Sequence, residues 1–159
     1  MREILFRGKR LDNGEWVEGY LYEHEPPLQC IVSKDYIPEP SRWYIIKTAF
    51  ADWNMPRQVE FIEIDPDTVC QFTGLLDKNG KRIFEGDVVA QSWYDFDEPA
   101  DDSFGEVVFS VSDCSFSVLD LNKNEIMSMG HGCAYHYEVE IIGNIHDNPE
   151  LLGGGGSDG

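Results

Sequence analysis

Long apolar runs are the first thing that this sequence lacks. No stretch approaches the roughly 18 consecutive apolar residues that a membrane-spanning helix requires. The first ten residues, MREILFRGKR, carry charges where a secretory signal would have an apolar core. We therefore expect a chain that stays in the cytoplasm of a bacterial host and has no membrane partner.

Paired cysteines are also missing. The four cysteines stand singly, at positions 30, 70, 114 and 133, and no CxxC pair occurs. In a chain without an export signal, such cysteines are expected to be free, buried thiols rather than disulfides.

Basic residues are few. The 159 residues include 12 Lys and Arg against 30 Asp and Glu, a net charge of −18. Residues 1–68 hold 8 basic and 13 acidic residues, and residues 69–159 hold 4 and 17, so most of the negative charge lies in the second part. Such a surface repels phosphate backbones and anionic lipids, which excludes generic nucleic-acid binding.

Sequence signatures of catalysis are absent as well. The chain has no Gly-x-Ser-x-Gly, no Walker loop and no Gly-x-Gly-x-x-Gly after a strand. Pairs of carboxylates carry no information among 30 acidic residues. We expect a protein that is not an enzyme and has no cofactor.

The patterns that are present favour strands. Asn13-Gly14 and Asn79-Gly80 supply turn residues between alternating segments, which predicts two hairpins. Residues 59–64 and 137–144 alternate between apolar and polar side chains, as half-buried strands do. Residues 83–90 are expected to form one strand bent at Gly86, and short helices are expected near residues 48–53 and 67–72. The fold class is mainly β, α+β at most, with short helical turns.

Several blocks, in this order along the chain, resemble the YopX family. They are residues 1–9 (MREILFRGK), 13–17 (NGEWV), 71–75 (QFTGL), 77–81 (DKNGK), 83–89 (IFEGDVV) and 142–152 (IGNIHDNPELL). The resemblance implies a phage- or prophage-encoded bacterial protein of uncharacterised function, with an SH3-like C-terminal subdomain and no established catalytic residues.

The expected organisation combines this resemblance with the turn chemistry around Asp65-Pro66-Asp67. A small β subdomain occupies residues 1–68, and an SH3-like, partly open barrel occupies residues 69–152. The glycine-rich end, residues 153–159, is expected to be a flexible tail.

Residues 95–106 are the most acidic segment. They fail as an EF-hand, because Pro99 and Ala100 stand where a ligand and the turn glycine are needed. We expect a solvated acidic loop that binds a basic partner through Asp95, Asp97, Glu98, Asp101 and Asp102.

The N-terminal half offers aromatic rings beside cations, which can form a stacking pocket for a nucleotide or another small molecule. The candidates for this alternative site are Arg7, Trp16, Tyr20 and Trp43. The same aromatic residues would equally serve as the core of a small β domain.

His131, Cys133 and His136 come closest to a metal site. In a strand His131 and Cys133 share one side and His136 faces away, so zinc would need a bend and a further ligand such as Cys114. From this pattern no bound metal is expected.

Two functions follow from the sequence. The first is a binding protein, regulatory or counter-defence in role, whose acidic surface attracts a protein with a basic surface. The alternative is a small-molecule or nucleotide-binding module. Exposed strand edges would also allow copies of the chain to pair.

Overall fold

The computed structural model describes residues 3–26, 37, 39–49, 58–95, 98–120, 122, 124–129 and 137–151, with the backbone alone for 92–95, 98–102, 126–128 and 137. The chain divides into two compact units. One comprises Ile4–Gln71, and the other comprises Met1–Glu3 with Phe72–Gly159.

The Ile4–Gln71 unit is an antiparallel sheet. Its strands are β1 (Phe6–Lys9), β2 (Trp16–His24), β3 (Arg42–Thr48), β4 (Val59–Ile64) and the first residues of β5 (Cys70–Leu76). They lie in the order β4-β3-β2-β1-β5. A 3-10 turn, Pro66–Thr68, precedes β5. The short helix predicted near residues 67–72 is wrong beyond this turn, because residues 70–72 belong to β5.

The hairpin of β1 and β2 forms as the sequence predicts. Gly14 adopts a φ of 73°, which is accessible to glycine without strain. The side chain of Asn13 accepts a hydrogen bond from the Glu15 amide at 2.9 Å and so closes the turn. One side of the sheet buries a core of Val17, Ile45, Ile62 and Ile64.

The other unit contains the rest of β5 and six further strands. They are β6 (Arg82–Phe84), β7 (Asp87–Asp95), β8 (Glu98–Ser110), β9 (Ser115–Leu119), β10 (Glu125–Ser128) and β11 (Tyr137–Asn144). The last five form a sheet in the order β10-β9-β8-β7-β11. Its core includes Ile83, Val89, Val107 and Val118. A 3-10 turn, Pro149–Leu151, follows β11.

The prediction of a mainly β protein is confirmed, and the described residues form eleven strands and two 3-10 turns. The five-stranded sheet has β10 and β11 at its edges and therefore does not close into a barrel. Its likeness to SH3 domains stays a prediction. The described residues contain no helix that is long and apolar enough to cross a membrane.

Two details differ from the sequence prediction. Residues 83–90 form two strands rather than one bent strand, because Gly86 turns the chain with a φ of 75°. Residues 95 and 98–106 belong to β7 and β8 rather than to a loop, since Asp95 pairs with Glu98 and Ser92 with Asp102. Pairing with β7 outweighs the low strand propensity of these acidic residues.

Candidate functional site

Apolar side chains lie on both sides of the sheet in the Ile4–Gln71 unit. Val17, Ile45 and Ile62 point to the core. Because successive side chains of a strand point to opposite sides, their neighbours point the other way. We call this opposite side the aromatic face. It is formed by Tyr20 and Tyr22 of β2, Tyr44 and Ile46 of β3, and Val59 and Phe61 of β4.

Strand register aligns these side chains in rows. Tyr20 pairs with Ile46, which pairs with Phe61 on its other side. In the next row Tyr22 pairs with Tyr44, and Tyr44 pairs with Glu63. Directly opposed residues share one side of a sheet, so three strands contribute to a single surface.

Three rings of the aromatic face touch each other. The ring centroids of Tyr22 and Tyr44 lie 6.4 Å apart, those of Tyr22 and Phe61 lie 6.0 Å apart, and those of Tyr44 and Phe61 lie 6.3 Å apart. Both contacts of Phe61 are edge to face, which is a favoured arrangement for aromatic rings. The rings therefore hold one another in place on the surface.

This cluster lies open to solvent. The exposed fraction is 62% for Tyr20, 55% for Phe61, 57% for Val59 and 42% for Tyr22. Single exposed apolar residues are common, whereas a contiguous group on one sheet face is typical of an interaction site.

Charged groups border the aromatic face. At one end, Arg42 pairs with His24, and the Tyr22 hydroxyl lies 3.4 Å from His24 Nδ1. A hydrogen bond with the Tyr44 side chain raises the pKa of Arg42 above its ordinary value, and the negative charge of Glu63 adds to this effect. The Glu63 side chain is exposed beside Tyr44.

Arg7 and Trp16 form a separate arrangement on β1 and β2. The guanidinium carbon of Arg7 lies 4.6 Å from the centre of the Trp16 ring, and the ammonium of Lys9 lies 5.5 Å from it. Arg7 is buried. The indole is therefore already in contact with two cations of its own chain, which leaves less of it for stacking on a ligand.

The residues proposed for a nucleotide site do not all converge. Arg7 is paired with Glu18, and Lys9 with Trp16, so Arg7 and Trp16 lie on the same side of the sheet as Tyr20. Trp43 lies on the opposite side and packs against the core of the unit. The structure thus brings three of the four to one side and places the fourth behind the sheet.

The acidic residues proposed for partner binding lie where β7 and β8 meet. Asp95 is paired with Glu98, and Asp101 is paired with Trp93. Asp102 follows in the same strand, opposite Ser92. Asp97 lies outside the described residues.

The proposed metal ligands His131, Cys133 and His136 also lie outside the described residues. Within the described ranges, no group of three or more His, Cys, Asp or Glu side chains is placed to hold a metal ion. Cys70 is buried, as expected, and donates to the Thr68 carbonyl. Cys114 is exposed, contrary to the expectation, because it stands in a tight turn with a φ of 51°.

Phe61 is the functional candidate that the sequence reasoning missed. Its signal lies in β4, where Val59 and Phe61 point to one side while Ile62 and Ile64 point to the other. A strand that is apolar on both sides is either covered twice or exposes an apolar surface. Here the exposed fraction of Phe61 shows the second case.

Comparison with known proteins identifies the family of the chain. None of the curated proteins matches it. Among solved structures, the crystal structure of protein EF1440 from Enterococcus faecalis is similar, with 22% identity over 96% of this chain and 99% of that one and a TM-score of 0.49. The family model described as YopX protein matches residues 5–153. Because this match covers most of its length, the chain belongs to the YopX family.

Proposed function

We propose that this protein acts by binding a partner protein with a basic surface and catalyses no reaction itself. The observation that carries the proposal is the aromatic face, where Tyr20, Tyr22 and Phe61 are exposed side by side. Rigid aromatic side chains supply much of the energy at protein interfaces, since they bury large areas at a small entropic cost.

The negative net charge of the protein favours a partner with a basic surface. With a net charge of −18, the chain attracts cationic surfaces at long range and repels anionic ones. At short range the open rings offer cation–π contacts to Lys and Arg, and Glu63 adds a carboxylate beside Tyr44. Aromatic and acidic groups together suit a surface that carries basic and apolar residues.

The acidic residues at the end of the β7–β8 hairpin would add to this attraction. The register brings Asp95 opposite Glu98 and places Asp101 and Asp102 a few residues further along β8. Acidic residues at neighbouring register positions would increase the rate of association with a basic partner, as electrostatic steering does in other complexes. A regulatory or counter-defence role would use a partner of this kind.

Capture from a bacterial lysate by the full-length chain tests this function. We expect wild type to retain a partner at low salt and to lose it as salt is raised, because the attraction is screened. The variant Phe61→Ser should lose the partner. The matched control Val111→Ser, which removes an apolar side chain that is 81% exposed in the other unit, should retain it.

Two outcomes contradict the proposal. One is an empty capture, or a set of captured proteins that salt does not change. The other is a partner that Phe61→Ser retains as well as wild type, which would move the interface away from the aromatic face.

A further inference from the structure

The edge of β4 is the open side of the aromatic face. β4 pairs with β3 along its length, from Trp43↔Ile64 to Thr48↔Val59, and is the last strand in the sheet order. On its other side, among the described residues, the chain after β1 reaches one end only. There the Leu11 amide donates to the Glu63 carbonyl at 3.1 Å, and the Asp65 amide donates to the Lys9 carbonyl at 2.8 Å.

These two hydrogen bonds fix the direction of the β4 backbone. Since the Glu63 carbonyl points away from β3, alternation along the strand points the amide and carbonyl of Phe61 and Val59 the same way. The alternate residues of β4 point their backbone groups towards β3. Consistent with this, the carbonyl of Gln58, just before the strand, accepts a hydrogen bond from the Ala49 amide, which follows β3. Within the described part of the chain, no backbone group pairs with Phe61 or Val59 on the outer side.

A groove lies along this edge. It has a volume of about 330 Å³ and is lined by residues 60–63 on one side and residues 10–12 on the other. Its wall includes Phe61, whose ring also belongs to the aromatic face. An extended chain entering this groove would meet both unpaired backbone groups and an aromatic ring.

The groove carries a net negative charge. Arg10 is held by Asp12, with Nη2 2.6 Å from Oδ2 and Nε 2.9 Å from Oδ1. The hydrogen bond to Asp12 raises the pKa of Arg10, and its counterpart lowers the pKa of Asp12. Because these two charges compensate each other, the exposed Glu60 and Glu63 give the groove its net negative charge.

We propose that the basic partner adds an extended segment, with Lys or Arg alternating with apolar residues, to the edge of β4. Its main chain would pair with Val59 and Phe61, as in other cases of strand addition to a sheet edge. Successive side chains of the segment would point to opposite sides of the sheet. Those on one side would meet Glu63 and the aromatic face, and those on the other side would meet Glu60. This inference rests on the proposed function, since it states how that partner binds.

Charge argues for this partner over a second copy of the same chain. Each copy would bring its own Glu60 and Glu63 to the shared edge, and the two chains carry −18 each. Acidic residues at an edge strand oppose such self-pairing and leave the edge available to a cationic chain.

A titration with a short synthetic peptide of alternating lysine and valine tests the inference. We expect the largest amide shifts of the ¹⁵N-labelled full-length protein at Val59, Phe61 and Glu63. Val59→Pro removes one outward amide at the first residue of an edge strand, where proline is tolerated, and keeps the Phe61 ring. It should weaken peptide binding about tenfold or more relative to Val59→Ala, which also removes the valine side chain from the aromatic face but keeps the amide.

The outcomes separate this inference from the proposed function. Absence of peptide binding, or equal binding by Val59→Pro and Val59→Ala, overturns addition at the edge. If Phe61→Ser still loses the captured partner in that case, the aromatic face keeps its function. If wild type sediments as a dimer and Val59→Pro as a monomer, the edge pairs copies of the chain and the inference is wrong.

Discussion

The ring of Phe61 meets the ring of Tyr44 edge to face, with 6.3 Å between centroids and 82° between planes. The contact joins β4 to β3 on the side of the sheet opposite the core of Val17, Ile45, Ile62 and Ile64. Its energy therefore comes from the two rings themselves and not from deep burial. This makes the pair a direct probe of how ordered the aromatic face is in the free protein.

A double-mutant cycle on this pair should show a coupling of about 0.5–1 kcal/mol in the free energy of unfolding. Tyr44→Ala, Phe61→Ala and the double variant would be compared with wild type by urea denaturation. As a control, Tyr44→Ala combined with Val111→Ala in the other unit should be additive. Additivity of the Tyr44 and Phe61 substitutions would show that the rings do not meet in solution.

Nucleotides should leave the melting temperature of the protein unchanged. The Trp16 ring is in contact with Arg7 and Lys9, and Trp43 packs against the core behind the sheet, so both indoles have less surface left for stacking on a base. A bound ligand would raise the melting temperature by mass action. Thermal shift against a panel of nucleotides measures this, and a concentration-dependent rise would favour the small-molecule alternative instead.

Local chemistry made parts of the fold predictable from the sequence. The turn at Asn13-Gly14 needs a positive φ, which Gly14 adopts, and a short polar side chain, which Asn13 supplies. The turn before β6 is similar, because the Asp77 carboxylate and Gly80 build it within four residues. Such features depend on neighbours in the chain, which a pattern of residues can show.

The aromatic face could not be predicted in the same way. Tyr22 and Phe61 come together because β3 lies between β2 and β4, and strand order is a property of the whole sheet. Likewise, Trp43 and Tyr44 are adjacent in sequence but lie on opposite sides, and the register alone decides which of them faces the core. The residues of the candidate site were visible in the sequence, and their common surface was not.

The Asp77 turn should make stability depend on pH. Burial disfavours the charged carboxylate, but hydrogen bonds from the amides of Lys81, Asn79 and Ile141 outweigh it and lower the pKa of Asp77. A carboxylate whose pKa is lowered by folding stabilises the protein above its unfolded pKa of about 3.9, and that stability is lost as pH falls through the folded pKa.

Asp77→Ala should therefore cost on the order of 1–3 kcal/mol at neutral pH, since three amides lose their acceptor. The cost should shrink in acid, where wild type loses the same stabilisation. Urea unfolding of both proteins across the acidic range measures this. Asp113→Ala, which removes an exposed carboxylate bonded only to nearby serines among its described contacts, serves as the control and should cost less. A cost for Asp77→Ala that does not change with pH would contradict the assignment.

Gly19 should tolerate a methyl group less well than Gly8, although both lie in strands of the same unit. A Cβ added at Gly19 would lie 2.5 Å from the Ile46 main-chain oxygen, which cannot move without disturbing β3. At Gly8 the nearest atom, at 2.6 Å, is the terminal Cδ1 of the buried Ile64 side chain, which can shift more easily than a main-chain oxygen. We expect Gly19→Ala to cost about 2–3 kcal/mol and Gly8→Ala about 1 kcal/mol. Thermal or urea unfolding would measure both, and equal costs would show that β2 and β3 are less closely packed in solution.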